Sequence, residues 1–187
     1  MKTYKVPFLL LAFLVSFSSV INAQNLKITA DKKKSTISYS MVHPMHEWTG
    51  TSNEVNSIIL YNPKSDAIES AAVSIMLSTF DSKNSNRDSH ALEVLDAIKY
   101  PAVKFASTSI KQVGNQLTID GNLTFHNVTK PITIVAIRQT SKKETTIDGS
   151  FIINITHYDV EAPSLLGLKT KEEITLAFKF VFPVMAI

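Results

Sequence analysis

Glu173-Ile174-Thr175-Leu176-Ala177-Phe178-Lys179-Phe180-Val181-Phe182 decides the fold class of this 187-residue chain. Ile174, Leu176, Phe178, Phe180 and Phe182 fall on one face of an extended chain, while Thr175, Ala177, Lys179 and Val181 fall on the other. That is the period-two signature of a half-buried strand. Working upstream, the same alternation recurs at Ile37, Tyr39, Met41; at Val73, Ile75, Leu77; at Ile119, Leu123, Phe125; and at Ile147, Phe151, Ile153, Ile155. Turn chemistry separates these strips at Asn62-Pro63-Lys64-Ser65-Asp66, Gly114-Asn115, Lys142-Lys143-Glu144 and Ala162-Pro163-Ser164. The segments predict an all-β fold of about eight antiparallel strands. Alternation alone fits a barrel or a two-sheet sandwich. An up-and-down barrel is the more economical, because closure removes exposed edges.

One segment breaks the rhythm. From Ser85 to Ile98 the apolar residues Ala91, Leu92, Leu95 and Ile98 recur at helical spacing, and Ser85 with Asp88 resembles a capping pair. This predicts a short amphipathic helix over one opening or side of the sheet.

The first 23 residues differ in character from the rest. Lys2 and Lys5 precede the largely apolar stretch from Val6 to Val15, and Val20-Ile21-Asn22-Ala23 offers a small residue for cleavage before Gln24. The apolar run is shorter than the roughly 20 residues of a spanning helix. It reads as a cleavable signal peptide over 1–23, leaving 24–187 as one β domain in the periplasm or secreted. Without the leader, 17 basic residues face 16 acidic ones. A nucleic-acid binder needs a basic excess gathered on one face; Lys32-Lys33-Lys34 reads instead as a solvated turn before a strand. The absence of cysteine excludes disulfides, thiol nucleophiles, thiolate metal sites and a lipidated cysteine. Five glycines and no nucleophile elbow give phosphate loops and hydrolase chemistry no footing, and Ser164 lies in a stretch unlike such an elbow.

Several stretches resemble the YceI-like family: Thr79-Phe80-Asp81-Ser82-Lys83-Asn84-Ser85-Asn86-Arg87-Asp88-Ser89-His90-Ala91-Leu92, then Lys99-Tyr100-Pro101-Ala102-Val103-Lys104-Phe105-Ala106-Ser107, then Gly121-Asn122-Leu123-Thr124-Phe125-His126-Asn127-Val128-Thr129-Lys130-Pro131-Ile132. Ser35 to Ser40, His43 and the segment from Tyr158 to Phe182 fit as well, so the resemblance covers nearly the whole mature chain. It implies a lipocalin-like extended antiparallel barrel in the periplasm with an apolar cavity for polyisoprenoid chains, such as quinone or polyprenyl tails. It also implies members that are often dimeric and no reaction common to the family. One departure stands out. The family's usual run of His, small or apolar residues and Gly is here His43-Pro44-Met45-His46-Glu47-Trp48-Thr49-Gly50.

Tail burial has a sufficient driving force. About 0.8 kcal/mol per methylene gives about 8 kcal/mol for ten, a micromolar affinity before ordering costs. The candidate cavity lining is Ile37, Tyr39, Met41, Val73, Ile75, Leu77, Phe105, Ile119, Leu123, Phe125, Phe151, Ile153, Leu176, Phe178 and Phe180, which would equally serve as filling of a solid core. His43, His46, Trp48 and Tyr100 are candidates for the mouth, facing a quinone ring or lipid head. No metal or cofactor is expected, because two histidines three apart without a firm third ligand are a poor zinc signal. Arg87 and Asp88 read as helix-start chemistry, and His126 with Thr129-Lys130-Pro131 as turn chemistry. The expectation is therefore a non-enzymatic carrier for a polyisoprenoid or similar lipid, with transient membrane contact and a homodimer left open. The alternatives are a metal- or haem-dependent catalyst using His43, His46 and His157, or a stress-related interaction module.

Overall fold

The computed structural model describes residues 25–165 and 167–185; the signal-peptide reading lies outside them. In chain order the elements are β1 (Leu26–Thr29), β2 (Thr36–His43), β3 (His46–Ser52), β4 (Asn56–Asn62), β5 (Ala67–Met76), α1 (Ser85–Val94), β6 (Ala102–Val113), β7 (Gln116–Phe125), β8 (Val128–Thr140), β9 (Glu144–Asn154), β10 (Ser164–Leu165), β11 (Leu168–Lys169) and β12 (Glu173–Pro183).

Ten of these strands form one antiparallel sheet in the order β1-β4-β5-β6-β7-β8-β9-β12-β2-β3, which curls strongly into an open barrel, and β10 pairs with β11 as a separate hairpin. The all-β, lipocalin-like expectation holds, but the count of about eight strands is too low among the described residues. The extra strands are β1, exposed along most of its length, and β3, whose sequence HEWTGTS has no apolar alternation. Both lie at sheet edges, where one face need not be apolar. The topology also departs from up-and-down: β4 to β9 form a meander, whereas the β2–β3 hairpin attaches beyond β12. Two links pin the curl. Thr51 of β3 and Asp81 exchange backbone hydrogen bonds of 3.0 Å, and the Asp31 N–H donates to the Val181 carbonyl at 2.7 Å. The second link explains why Val181, on the outward face by alternation, is 2% exposed.

The turns lie where their residues require. Gly114 has φ 61°, and His126-Asn127 form a two-residue turn with φ 48° and 63°. Pro131 is not in that turn but inside β8, paired with Asn122. β8 meets β9 only from Ala136 to Thr140, so Pro131 lies on a stretch whose other side lacks a ladder and its missing N–H costs no bond. The long apolar ends of two strips, Leu77 and Ile155, leave the sheet in 3-10 turns but stay buried.

The helix is shorter than its apolar spacing predicts. It ends at Val94 because Asp96 turns to φ 43°, leaving Ile98 fully exposed. Asn84, not Ser85, is the N-cap, accepting from the Arg87 N–H at 3.1 Å. Asp88 instead accepts from the backbone N–H and hydroxyl of Ser82.

Inside the barrel the buried side chains fall into two clusters. One gathers Ile37, Ile59, Tyr61, Ile75, Leu117, Ile119, Ile147, Phe180 and Phe182; the other gathers Met41, Leu77, Leu123, Phe125, Ile153, Ile155, Tyr158 and Ile174. Phe105, Ile132, Phe151 and Leu176 pack against both and form the waist between them. Where the strand walls are closest to aromatic rings, glycine replaces a side chain. Gly149 pairs across the sheet with Phe178, and a methyl group there would stand 3.0 Å from Phe178 Cζ and 2.7 Å from the Val135 carbonyl oxygen.

Candidate functional site

The two clusters enclose different amounts of space. On the side of α1 lies a cavity of about 500 Å³; beyond the waist lies a second of about 80 Å³. The fifteen residues expected to line one cavity therefore divide. Tyr39, Met41, Leu77, Phe125, Ile153 and Leu176 face the large cavity. Ile37, Val73, Ile75, Phe105, Ile119, Leu123, Phe151, Phe178 and Phe180 surround the small one, so the even alternation that defines the strips hides a change from open lumen to nearly filled core. Against the cluster on the small-cavity side, where Tyr61 is buried, packs a polar group that sequence reading did not single out. Buried Arg138 donates to the Asp66 carbonyl at 2.8 Å and to the Asp66 carboxylate, while the Tyr61 hydroxyl donates to the same carboxylate at 2.9 Å. Burial works to raise the Asp66 pKa, but the bonds from Arg138 and Tyr61 and the charge of Arg138 outweigh it and hold the carboxyl below its usual value.

The large cavity has an apolar wall and a polar mouth. Its wall includes the helical face of Ala91, Leu92, Val94 and Leu95, legible in the sequence only as helical spacing. Across the mouth runs a column of flat groups. His43 ends β2 and His46 begins β3, and the two-residue turn Pro44-Met45 makes them cross-strand partners with ring centres 5.4 Å apart. Their spacing of three thus belongs to a hairpin, not to opposite faces of one strand. His46 lies 5.3 Å from Trp48, and the Arg87 guanidinium lies 5.2 Å from the Trp48 ring centre.

Each member of the column is held from behind. His43 is 3% exposed; its Nδ1 accepts from the Met45 N–H at 3.2 Å, so its Nε2–H donates to the Leu168 carbonyl at 3.1 Å. With both nitrogens engaged, His43 presents its ring, not a lone pair, to the cavity. Arg87 donates through Nε to the Ser82 hydroxyl at 2.8 Å and through Nη2 to the Ser82 carbonyl at 2.7 Å. Arg87 thus covers a carbonyl in the loop before α1 and stacks on Trp48 as well. Tyr39 lies against Phe80 with ring centres 5.5 Å apart, and burial pushes its phenol above the usual range against a lowering contact from Trp48.

Two further expected residues lie elsewhere. Tyr100 is not in the mouth: its ring packs edge-on against His126 at 4.7 Å, outside the cavity lining. The Pro101 carbonyl accepts from the Leu77 N–H at 2.8 Å, one step beyond the Met76–Ala102 pair of the β5–β6 ladder. His157 is exposed in the turn after β9, away from His43 and His46 in the lining of the cavity. In contrast, Thr170, not singled out from sequence, lines the large cavity while 7% exposed, and its hydroxyl oxygen has no hydrogen-bond partner among the described residues. Burying a hydroxyl unpaired costs about 1–3 kcal/mol.

A model of the YceI-like domain matches residues 28–182. Among its relatives, Protein YceI of Salmonella newport (strain SL254) is 30% identical over 139 residues, spanning 73% of this chain and 72% of the Salmonella protein. Among solved structures, Burkholderia cenocepacia BcnA superposes with a TM-score of 0.73 at 21% identity, over 81% of this chain and 98% of BcnA. A polyisoprenoid binding domain from Saccharophagus degradans, implicated in plant cell wall breakdown, superposes with a TM-score of 0.69 at 14% identity, over 84% and 98% of the two chains. At these identities the structural likeness speaks for the fold.

Proposed function

Because the chain belongs to the YceI-like family, we propose that it binds a polyisoprenoid or similar long-chain lipid and performs no chemistry on it. One observation carries this reading: an apolar cavity of about 500 Å³ that is closed at its inner end by the aromatic waist and opens beside a polar, aromatic mouth. A tail gains about 0.8 kcal/mol per buried methylene, and the cavity wall asks nothing of it but shape. The head remains at the column of His43, His46 and Trp48. That the Saccharophagus neighbour is a polyisoprenoid binding domain supports the same class of ligand.

In this reading the protein is an exported carrier or sequestering protein. Support comes from the leader-like first 23 residues and the lack of any cysteine for a lipid anchor. Exposed Met45 and Leu168 flank His43 at the rim and provide apolar contact with a membrane surface during loading. Commitment of both His43 nitrogens to backbone partners favours binding over a catalytic or metal role for the pair His43 and His46.

Native mass spectrometry of the protein purified from its own host, followed by organic extraction, tests the proposal. A stoichiometric prenyl-chain lipid is the expected result. A clean ligand-free mass that persists after incubation with long-chain quinones and polyprenols would overturn it.

A further inference from the structure

The helix that walls the large cavity is bonded to the barrel backbone only at its two ends. Before it, Thr51 and Asp81 exchange backbone hydrogen bonds of 3.0 Å; after it, the Pro101 carbonyl accepts from the Leu77 N–H at 2.8 Å. Between these tethers, among the described residues, the backbone bonds of 83–100 stay inside the segment: Asp88 to Asn84, Leu95 to Ala91, Ala97 to Leu92, and Lys99 and Tyr100 to Asp96. Two non-glycine residues with left-handed backbone bracket α1, Lys83 at φ 63° and Asp96 at φ 43°. Such conformations cluster at ligand clamps and switch regions.

Side chains hold the segment lightly. Leu92, Val94, Leu95 and Ala97 pack on the cluster around the large cavity, yet all four are only half-buried. Beyond them the hold is Arg87 on Trp48 and Tyr100 against His126. With ten residues, α1 falls short of the about 12–15 at which an isolated helix becomes marginal in water. Lifted from its seat it unwinds, so opening and local unfolding are one event.

Resting on the lipid-binding reading above, we infer that 83–100 is the gate of the large cavity: it unwinds as a unit to admit or release a lipid through the side of the lumen, and rewinds over the bound chain. The cavity is lined by α1 along its length, from Asn84 to Leu95, so unwinding bares about 15 Å of wall. With α1 in place, a branched tail must instead thread end-on past His46 and Trp48. The gate is closed both before and after binding. Loosening it therefore speeds entry and exit alike and leaves affinity unchanged.

Ser89 tests the gate without touching the cavity, being exposed, inside α1 and outside the lining. Alanine and glycine in a helix interior differ by about fivefold in helix stability. The probes are farnesol and geranylgeraniol, followed by stopped-flow fluorescence of Trp48, the chain's single tryptophan. We expect association and dissociation both to be about fivefold faster in Ser89→Gly than in Ser89→Ala, with dissociation constants equal within about twofold. Hydrogen exchange of the ligand-free variants reads the opening without any lipid. The amides of Asp88, Leu95, Ala97 and Tyr100 should lose protection together, sooner than those of the β6–β7 ladder, and with the same gap of about fivefold between variants. Lipid rates that are equal in the two variants while the exchange gap is present would show passage with α1 in place and overturn the gate. A change in dissociation alone, the mark of a wall that only grips the ligand, would overturn it too, as would amides protected as well as the β6–β7 ladder. Failure of both alcohols to bind, whatever the exchange shows, would overturn the lipid-binding reading and the gate with it.

Discussion

The Arg87 guanidinium lies 5.2 Å from the centre of the Trp48 ring while its Nε and Nη2 bond Ser82, so one side chain ties the start of α1 to β3 and to the loop before the helix. No residue of α1 is fully buried. The helix therefore depends on such end contacts more than on its apolar face. Stacking contributes about 0.5–1 kcal/mol and charged hydrogen bonds about 1.5–3 kcal/mol. We expect Arg87→Ala to cost about 2 kcal/mol, lowering the thermal midpoint by about 4–8 °C for a chain of this length. It should also increase lipid dissociation rates, read by stopped-flow Trp48 fluorescence. Arg87→Lys, which keeps the charge but not the flat fork, should recover less than half of the loss.

Tyr39 and Gly50 are cross-strand partners of β2 and β3, and a methyl group on Gly50 would stand 2.7 Å from Tyr39 Cζ and 2.9 Å from its hydroxyl oxygen. The ring lies flat across the glycine, keeping its bulk along the wall of the large cavity. Gly50→Ala must lift the ring into the lumen or spread the strands. We expect a cost of about 1–3 kcal/mol and lipid affinity weakened by about tenfold, measured by chemical denaturation and Trp48 titration. Shortening the ring removes the conflict, so Tyr39→Leu in the same chain should recover affinity. The two substitutions should be strongly non-additive.

Beside buried Tyr61, Asp66 has a folded-state pKa below its unfolded value, although burial alone would raise it, because Arg138 and Tyr61 bond the carboxylate. Its contribution to stability is therefore complete above the unfolded carboxylate value of about 4 and is lost as the pH falls through the depressed folded value. The Asp66 side chain is 47% exposed, so solvent screening reduces the effect, but its partner Arg138 is 5% exposed and cannot turn to water. Removing the carboxylate with Asp66→Ala should cost about 2 kcal/mol at neutral pH, chiefly by leaving the buried guanidinium without a counter-charge. The gap between wild type and variant should narrow in acid. Urea denaturation midpoints at pH 7 and pH 3 measure it.

How much of this was legible depends on what each residue does. The core-facing strips were readable because burial on one side of a sheet forces period two, and all fifteen expected lining residues do border one of the two cavities. What alternation does not encode is how far opposite walls stand apart, so the division at Phe105, Phe151 and Leu176 was invisible in sequence. β1 and β3 were missed because edge strands bury no continuous stripe. Tyr100 was misplaced because an aromatic beside a proline reads alike whichever side it turns to, and its packing on His126 is a contact between elements 26 positions apart. Thr170 gave no local signal. Its hydroxyl is unusual only for what fails to surround it, which no neighbouring residue in the sequence specifies.

The waist also sets how long a chain the protein accepts. Phe151 borders the small cavity and packs against both buried clusters, so it stands between about 500 Å³ of usable space and the about 80 Å³ beyond. Each further methylene inside the large cavity adds about 0.8 kcal/mol to binding. A chain that has reached the waist must leave its next unit in water or distort the core. Affinity across a series of prenyl alcohols of increasing length should therefore climb and then level off. Phe151→Ala opens the wall between the cavities at a stability cost of about 3 kcal/mol, and should move the levelling point to a chain longer by at least one isoprene unit. Phe151→Leu, which keeps most of the barrier, should move it little at a cost of about 1 kcal/mol. If the levelling point instead shifts equally in both variants, or stays fixed in Phe151→Ala while the protein remains folded, chain length is governed at the mouth and not at the waist.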